Sequence, residues 1–124
     1  MDTNLVLRTG STNLTADETL TSVLVGPMLR PMELMVLVPS ITGGADTLDV
    51  ELEFCATGAT TTEISNTNMK QITAAGLYSI PFFTHHEYLQ VKLNVTDVGG
   101  SGFSAGAVKV WIAPAHRYDA PRNA

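Results

Sequence analysis

The chain has 124 residues, of which 44% are hydrophobic and 15% charged, with a formal net charge of −5 and a single cysteine. That length builds one domain with a real core, and one thiol excludes an intrachain disulfide framework or a cluster of thiolate metal ligands. The acidic balance, with a sequence pI near 4.9, argues against nucleic acid as a partner, because phosphate binding needs a concentrated basic surface.

Read in chain order, the sequence predicts strands almost everywhere. Leu5 to Arg8 is a short opening strand ended by Thr9-Gly10, and Leu20 to Val25 alternates loosely up to Gly26-Pro27. Met32 to Val38 is apolar on both faces, which suits either a central strand or one whose outer face meets something else. In Thr47 to Cys55, Leu48, Val50, Leu52 and Phe54 alternate with Asp49, Glu51 and Glu53, the pattern of a half-buried strand with acids on one face. A short piece around Thr62 to Ser65 supplies a further strand, and Asn66 to Ala75 has room for one helical turn. Gly76 to Phe83 is interrupted by Pro81, which places it at an edge or a bulge. Glu87 to Val95 alternates again, with Leu89, Val91, Leu93 and Val95 on one side and Tyr88, Gln90, Lys92 and Asn94 on the other. Ala107 to Ala113 turns Val108, Val110 and Ile112 inward and Lys109 and Trp111 outward.

Turn signals at Gly26-Pro27, Thr42-Gly43-Gly44, Thr57-Gly58 and Val98 to Gly102 separate these runs at roughly ten-residue spacing. The expected fold is all-β: one antiparallel β-sandwich over 1–124, jelly-roll-like, with about eight strands. Residues 1–19 form its N-terminal strand or arm, and 114–124, polar and proline-bearing, a C-terminal tail. The start lacks a basic segment and a long apolar core, so no signal peptide is expected. No run approaches the length of a membrane span.

The sequence offers little for catalysis. Cys55 is followed by no nucleophile motif, points to the polar face or the strand end, and is expected to be an ordinary residue, accessible at most. His85 and His86 are neighbours before a strand and face opposite ways, with no third metal ligand at convincing spacing. Asp49, Glu51 and Glu53 line one strand face; they read as a solvated acidic face, or as one matched to Lys92 and Lys109 on a neighbouring strand or chain. The loop Gly99 to Gly102 lacks the lysine and following helix of a phosphate cradle. No enzyme, cofactor or metal is expected.

The surface is more informative. A soluble domain carries about a quarter charged residues, and this one carries 15%. Either a neutral, threonine-rich skin or a surface covered by other chains accounts for that. Trp111 shares its strand face with Lys109, Tyr88 stands on the outer side of its strand, and Met28, Met32 and Met35 cluster around the doubly apolar strand. These side chains are either buried by sheet curvature and arms or form an oligomer or partner interface. Met35, Leu37, Tyr88 and Trp111 are the candidate contact residues.

A wider pattern joins these features: Leu5 to Arg8 with Thr9-Gly10, then Leu14-Thr15-Ala16-Asp17; Pro31-Met32-Glu33-Leu34 to Pro39, continued from Gly43 to Glu53; Ala75 to Tyr78 leading into Thr84 to Thr96; and the close on Val110 to Pro114. In this the chain resembles the small capsid decoration, or cement, proteins of tailed bacteriophages. The likeness covers most of the chain and is one of strands and turns, without a catalytic signature. It implies a non-enzymatic virion protein made in the bacterial cytoplasm and carried on the outer capsid surface. Such a protein, a homo-oligomer and often a trimer, binds the major capsid protein and ties neighbouring capsomers together, with neither nucleic acid nor membrane as partner. Many weak copies on a closed lattice then act together. Two other readings remain open: a tail-tube or head–tail joining protein, which assembles as a ring, and a carbohydrate- or receptor-binding sandwich. The last would stack sugars on Trp111, Tyr88 and Tyr78, with Asp49 or Asn94 bonding hydroxyls.

Overall fold

The computed structural model describes residues 5–26, 30–42, 46–55, 63–98 and 102–114, with the backbone alone at 63–66. The turn residues Gly43, Gly44, Gly58, Gly99 and Gly100, together with Met28 and most of the expected tail, lie outside them.

Nine strands and no helix form among the described residues: β1 (Leu5–Thr9), β2 (Glu18–Thr19), β3 (Val23–Leu24), β4 (Met32–Val38), β5 (Thr47–Cys55), β6 (Glu63–Asn68), β7 (Gly76–Phe82), β8 (Tyr88–Thr96) and β9 (Lys109–Pro114). With no helix, none crosses a membrane. One sheet has the order β1-β9-β4-β7; the other has β2-β8-β5-β6, with β3 also on β8. Every strand pairing is antiparallel.

Because β2 and β3 lie end to end on β8, they count as one interrupted edge strand, which leaves eight. The chain then pairs first with last, second with seventh, third with sixth and fourth with fifth. That is an antiparallel ribbon rolled into two four-stranded sheets, the jelly roll. The sequence-derived fold, an antiparallel β-sandwich of about eight strands, is the fold observed.

Alternation explains the core. Leu34, Val36 and Val38 of β4 and Val110 and Ile112 of β9 face Leu48, Val50, Leu52 and Phe54 of β5 and Leu89, Val91 and Leu93 of β8, all in one buried cluster. Phe54 and Phe82 meet across the sandwich with ring centroids 5.9 Å apart. Leu14, in the connection between the sheets, is also fully buried, its N–H donating to the Gly106 carbonyl at 2.9 Å.

Two local expectations change. The run Leu20 to Val25 is broken, not continuous. The Leu20 N–H still donates to the Val91 carbonyl (2.9 Å), but its own carbonyl leaves the ladder to accept from Gln90 Nε2 at 3.4 Å. And Asn66 to Ala75 contains no helical turn. β6 runs on to Asn68, and Ile72 exchanges both backbone hydrogen bonds with Leu48 at 2.9 Å, because burying Met69 and Ile72 keeps the chain extended beside β5. The expected edge position of the Pro81 strand is where β7 lies.

Candidate functional site

The outer face of the β1-β9-β4-β7 sheet carries apolar side chains across all four strands. Register places Val6, Trp111, Met35 and Ser79 in one row and Thr9, Lys109, Leu37 and Leu77 in the next. Neighbouring strands are about 4.8 Å apart and successive same-face rows about 7 Å, so these residues adjoin. Val6, Leu37 and Leu77 are 45%, 41% and 58% exposed. Trp111 is half-buried, with Lys109 Nζ 5.3 Å from its ring centroid, so the lysine supplies a cation–π contact as well as the only charge in these two rows. Met35 is buried at the centre of the face without belonging to the core between the sheets. The doubly apolar character of Met32 to Val38 thus has two sources: β4 is central, and its outer residues join this patch.

Tyr88 is not part of it. Its strand turns Leu89, Val91 and Leu93 inward, which puts Tyr88 on the outer face of the other sheet, in register with Leu24 and Cys55. The four sequence-derived contact candidates therefore divide, with Met35, Leu37 and Trp111 on one side of the sandwich and Tyr88 on the opposite side.

That second outer face is polar. Asp49, Glu51 and Glu53 of β5 lie opposite Asn94, Lys92 and Gln90 of β8. Instead of being solvated, Glu53 is buried, its Oε2 held 3.0 Å from Lys92 Nζ. Asp49 accepts from Gln71 Nε2 at 3.1 Å. Lys109, the other cation expected to match these acids, is on the far sheet. Gln90 is 2% exposed, and its Oε1 has no hydrogen-bond partner among the described residues. A buried acceptor left without a donor costs about 1–3 kcal/mol.

The remaining candidates lie apart from both faces' central rows. Cys55 is fully buried, so its thiol is not accessible at the strand end; the register shifts between Phe54 and Cys55, and the Sγ lies 4.0 Å from the Glu53 carbonyl. His85 is edge-on to the exposed Phe83 ring, with centroids 5.2 Å apart. The groups of His, Cys, Asp and Glu among the described residues nowhere gather three for a metal. Tyr78 packs its ring against the core and donates its hydroxyl to the Ala74 carbonyl at 2.7 Å. The three rings that sugar stacking would use, Trp111, Tyr88 and Tyr78, thus belong to three separate surfaces.

Sequence reasoning missed Val6, Leu77 and Gln90. Leu77 was available from alternation, since Tyr78, Ile80 and Phe82 fix the inward parity of that strand. Gln90 carried no such signal, because burial of an outer-face amide is set by tertiary structure. Comparisons with protein-family models, with curated proteins and with solved structures find no match.

Proposed function

We propose that this chain is a non-enzymatic virion protein, a capsid decoration subunit that docks on the outer capsid surface through the outer face of the β1-β9-β4-β7 sheet. The observation that carries the reading is the apolar surface of Val6, Leu37 and Leu77 around Trp111 and Met35. An exposed apolar patch rimmed by polar residues is the usual mark of an interaction surface. Aromatic and methionine side chains are the residues enriched where partners meet. The low overall charge and the resemblance to cement proteins support the same reading. The jelly roll does not choose between capsid and lectin roles, since both use it. The dispersal of Trp111, Tyr88 and Tyr78 over three surfaces weighs against a sugar platform.

The mechanism is additive. Each subunit covers its apolar face on a capsomer boundary, and the closed lattice converts many modest contacts into a stable shell. The test is co-sedimentation with capsid shells of the virus that encodes the chain, comparing the intact protein with Trp111→Asp and Leu37→Asp. Circular dichroism and thermal melting check that each variant folds. The expected result is saturable binding by the intact chain and loss of at least about tenfold in affinity by either variant, the scale of removing one buried anchor. Equal binding by both folded variants, or none by the intact chain, overturns the reading. Light scattering after size exclusion adds a second criterion: a trimer supports decoration, and a larger ring replaces it with a tail or neck role.

A further inference from the structure

We infer that the partner surface met by the outer face of the β1-β9-β4-β7 sheet carries a carboxylate, and that Lys109 pairs with it once the face is covered. The inference rests on the docking reading above and adds the chemistry of the other side.

Lys109 is exposed, and its row runs from Thr9 on β1 through Leu37 on β4 to Leu77 on β7. Leu37 and Leu77 are exposed too, so the lysine stands among the apolar side chains of the docking face and not outside them. Its head also leans inward. Nζ lies 5.3 Å from the ring centroid of Trp111, which belongs to the next row with Val6 and Met35. A lysine at the rim of an apolar surface extends its ammonium into water. This one holds it over the middle of the face.

The charge is unmatched within the described chain. Arg8 is paired with Glu18 and Lys92 with Glu53, whereas no carboxylate among the described residues pairs with Lys109. Glu33, the acid of the same face, lies in the row beyond Trp111, opposite Ala113, and is buried with a contact of its own. The ammonium thus has an aromatic ring on one side and solvent on the other.

Covering the face removes that solvent. A ring alone does not replace the hydration of an ammonium, and a buried charge is costly unless it is paired. A wholly apolar partner would be penalised at Lys109, and a basic one repelled. A carboxylate set among apolar side chains satisfies the ammonium while the area around Trp111, Leu37 and Leu77 is buried. The chain as a whole has a net charge of −5 and repels an acidic surface. A single cation within the docking face therefore fixes where such a surface can approach, the usual role of interfacial charge.

The test extends co-sedimentation with capsid shells to Lys109→Met, which keeps an unbranched stem on Trp111 and removes the charge, and to Lys109→Arg, which keeps the charge. Each is measured at low and high salt. Trp111 is the single tryptophan of the chain, so its emission on adding shells reports whether this face is covered. Binding of the intact chain is expected to weaken as salt rises. Lys109→Met should bind about tenfold or more weakly at low salt, the scale of truncating one member of a buried charge pair, and respond less to salt. Lys109→Arg should stay near the intact chain. Circular dichroism checks folding, with Lys109→Gln as a second neutral variant should Lys109→Met not fold. A folded neutral variant that binds as well as the intact chain, or more tightly, overturns the inference, because losing an unpaired charge from a covered face helps binding. So does a neutral variant whose loss is the same at both salt concentrations, or intact-chain binding that salt does not weaken. If Trp111→Asp loses binding while Lys109→Met does not, the docking face stands and the carboxylate alone is removed. Absence of saturable binding by the intact chain removes both.

Discussion

Arg8 and Glu18 tie the two sheets together at one edge of the sandwich: Nε of Arg8 lies 2.9 Å from Oε1 of Glu18, and Nη2 lies 3.0 Å from Oε2. The remaining guanidinium nitrogen donates to the carbonyls of Thr12 and Val108 at 2.9 and 2.7 Å. One side chain thus satisfies the start of β9, the turn after β1 and the first strand of the opposite sheet.

Replacing Arg8 with Met keeps the apolar stem and removes all of these bonds. The expected loss is about 2–3 kcal/mol, the range for charge-assisted hydrogen bonds left without a partner. Glu18 is 37% exposed at its side chain, so Glu18→Gln should cost about 1 kcal/mol or less. Urea unfolding with an unchanged slope measures both, and equal costs for the two would show that the backbone contacts of Arg8 contribute nothing.

Leu34 and Leu37 sit three residues apart on β4 and face opposite ways, fully buried and 41% exposed respectively. Leu34→Ala should destabilise the fold by about 2–5 kcal/mol through the lost transfer term and the cavity. Leu37→Ala should stay within about 0.5 kcal/mol, as surface changes do. Chemical denaturation of the pair reports directly on which face of β4 is the core.

Gly106 has φ +73°, and a Cβ there would sit 3.0 Å from Ser40 Oγ and 3.2 Å from Pro39 Cβ. At Gly102, with φ +105°, a Cβ meets nothing within 4 Å. Both alanine variants suffer the backbone penalty of about 1–3 kcal/mol, and Gly106→Ala adds a steric one. Gly106→Ala should melt lower than Gly102→Ala, and a reversed order would show that the loop holding Pro39 and Ser40 yields freely.

Cys55, fully buried, should resist a disulfide reagent in the native protein and react fully once the chain is unfolded in urea. Its labelling rate should follow global stability. Rapid labelling without urea would mean that β5 opens locally at its C-terminal end.

Much of this architecture was legible because period-two alternation is a local property. Leu48 to Phe54 and Leu89 to Val95 announce their own buried faces, and Pro81 announces an edge. The broken edge strand was not legible, since the break at Leu20 depends on a side chain seventy residues away. For the same reason Tyr88 and Trp111 looked alike in sequence: alternation says that a residue points outward but not out of which sheet. Burial of Glu53 and Gln90 on an outer face needed the third dimension too. Trp111 with Lys109 was legible, because both members of that contact lie on one strand two residues apart.

The pairing of first strand with last has a consequence for when the molecule can fold. β1 has β9 as its strand partner, and the Arg8 contact to the Val108 carbonyl closes a loop of one hundred residues. During synthesis β1 leaves the ribosome one hundred residues ahead of the segment it pairs with and must wait for it. Its sheet is completed only as β9 emerges, because β9 lies between β1 and β4. Long-range closure of this kind belongs to the slow end of folding rates. The polar turn that follows β1, from Gly10 to Asn13, and the single Arg8 on the strand help keep it soluble through that interval.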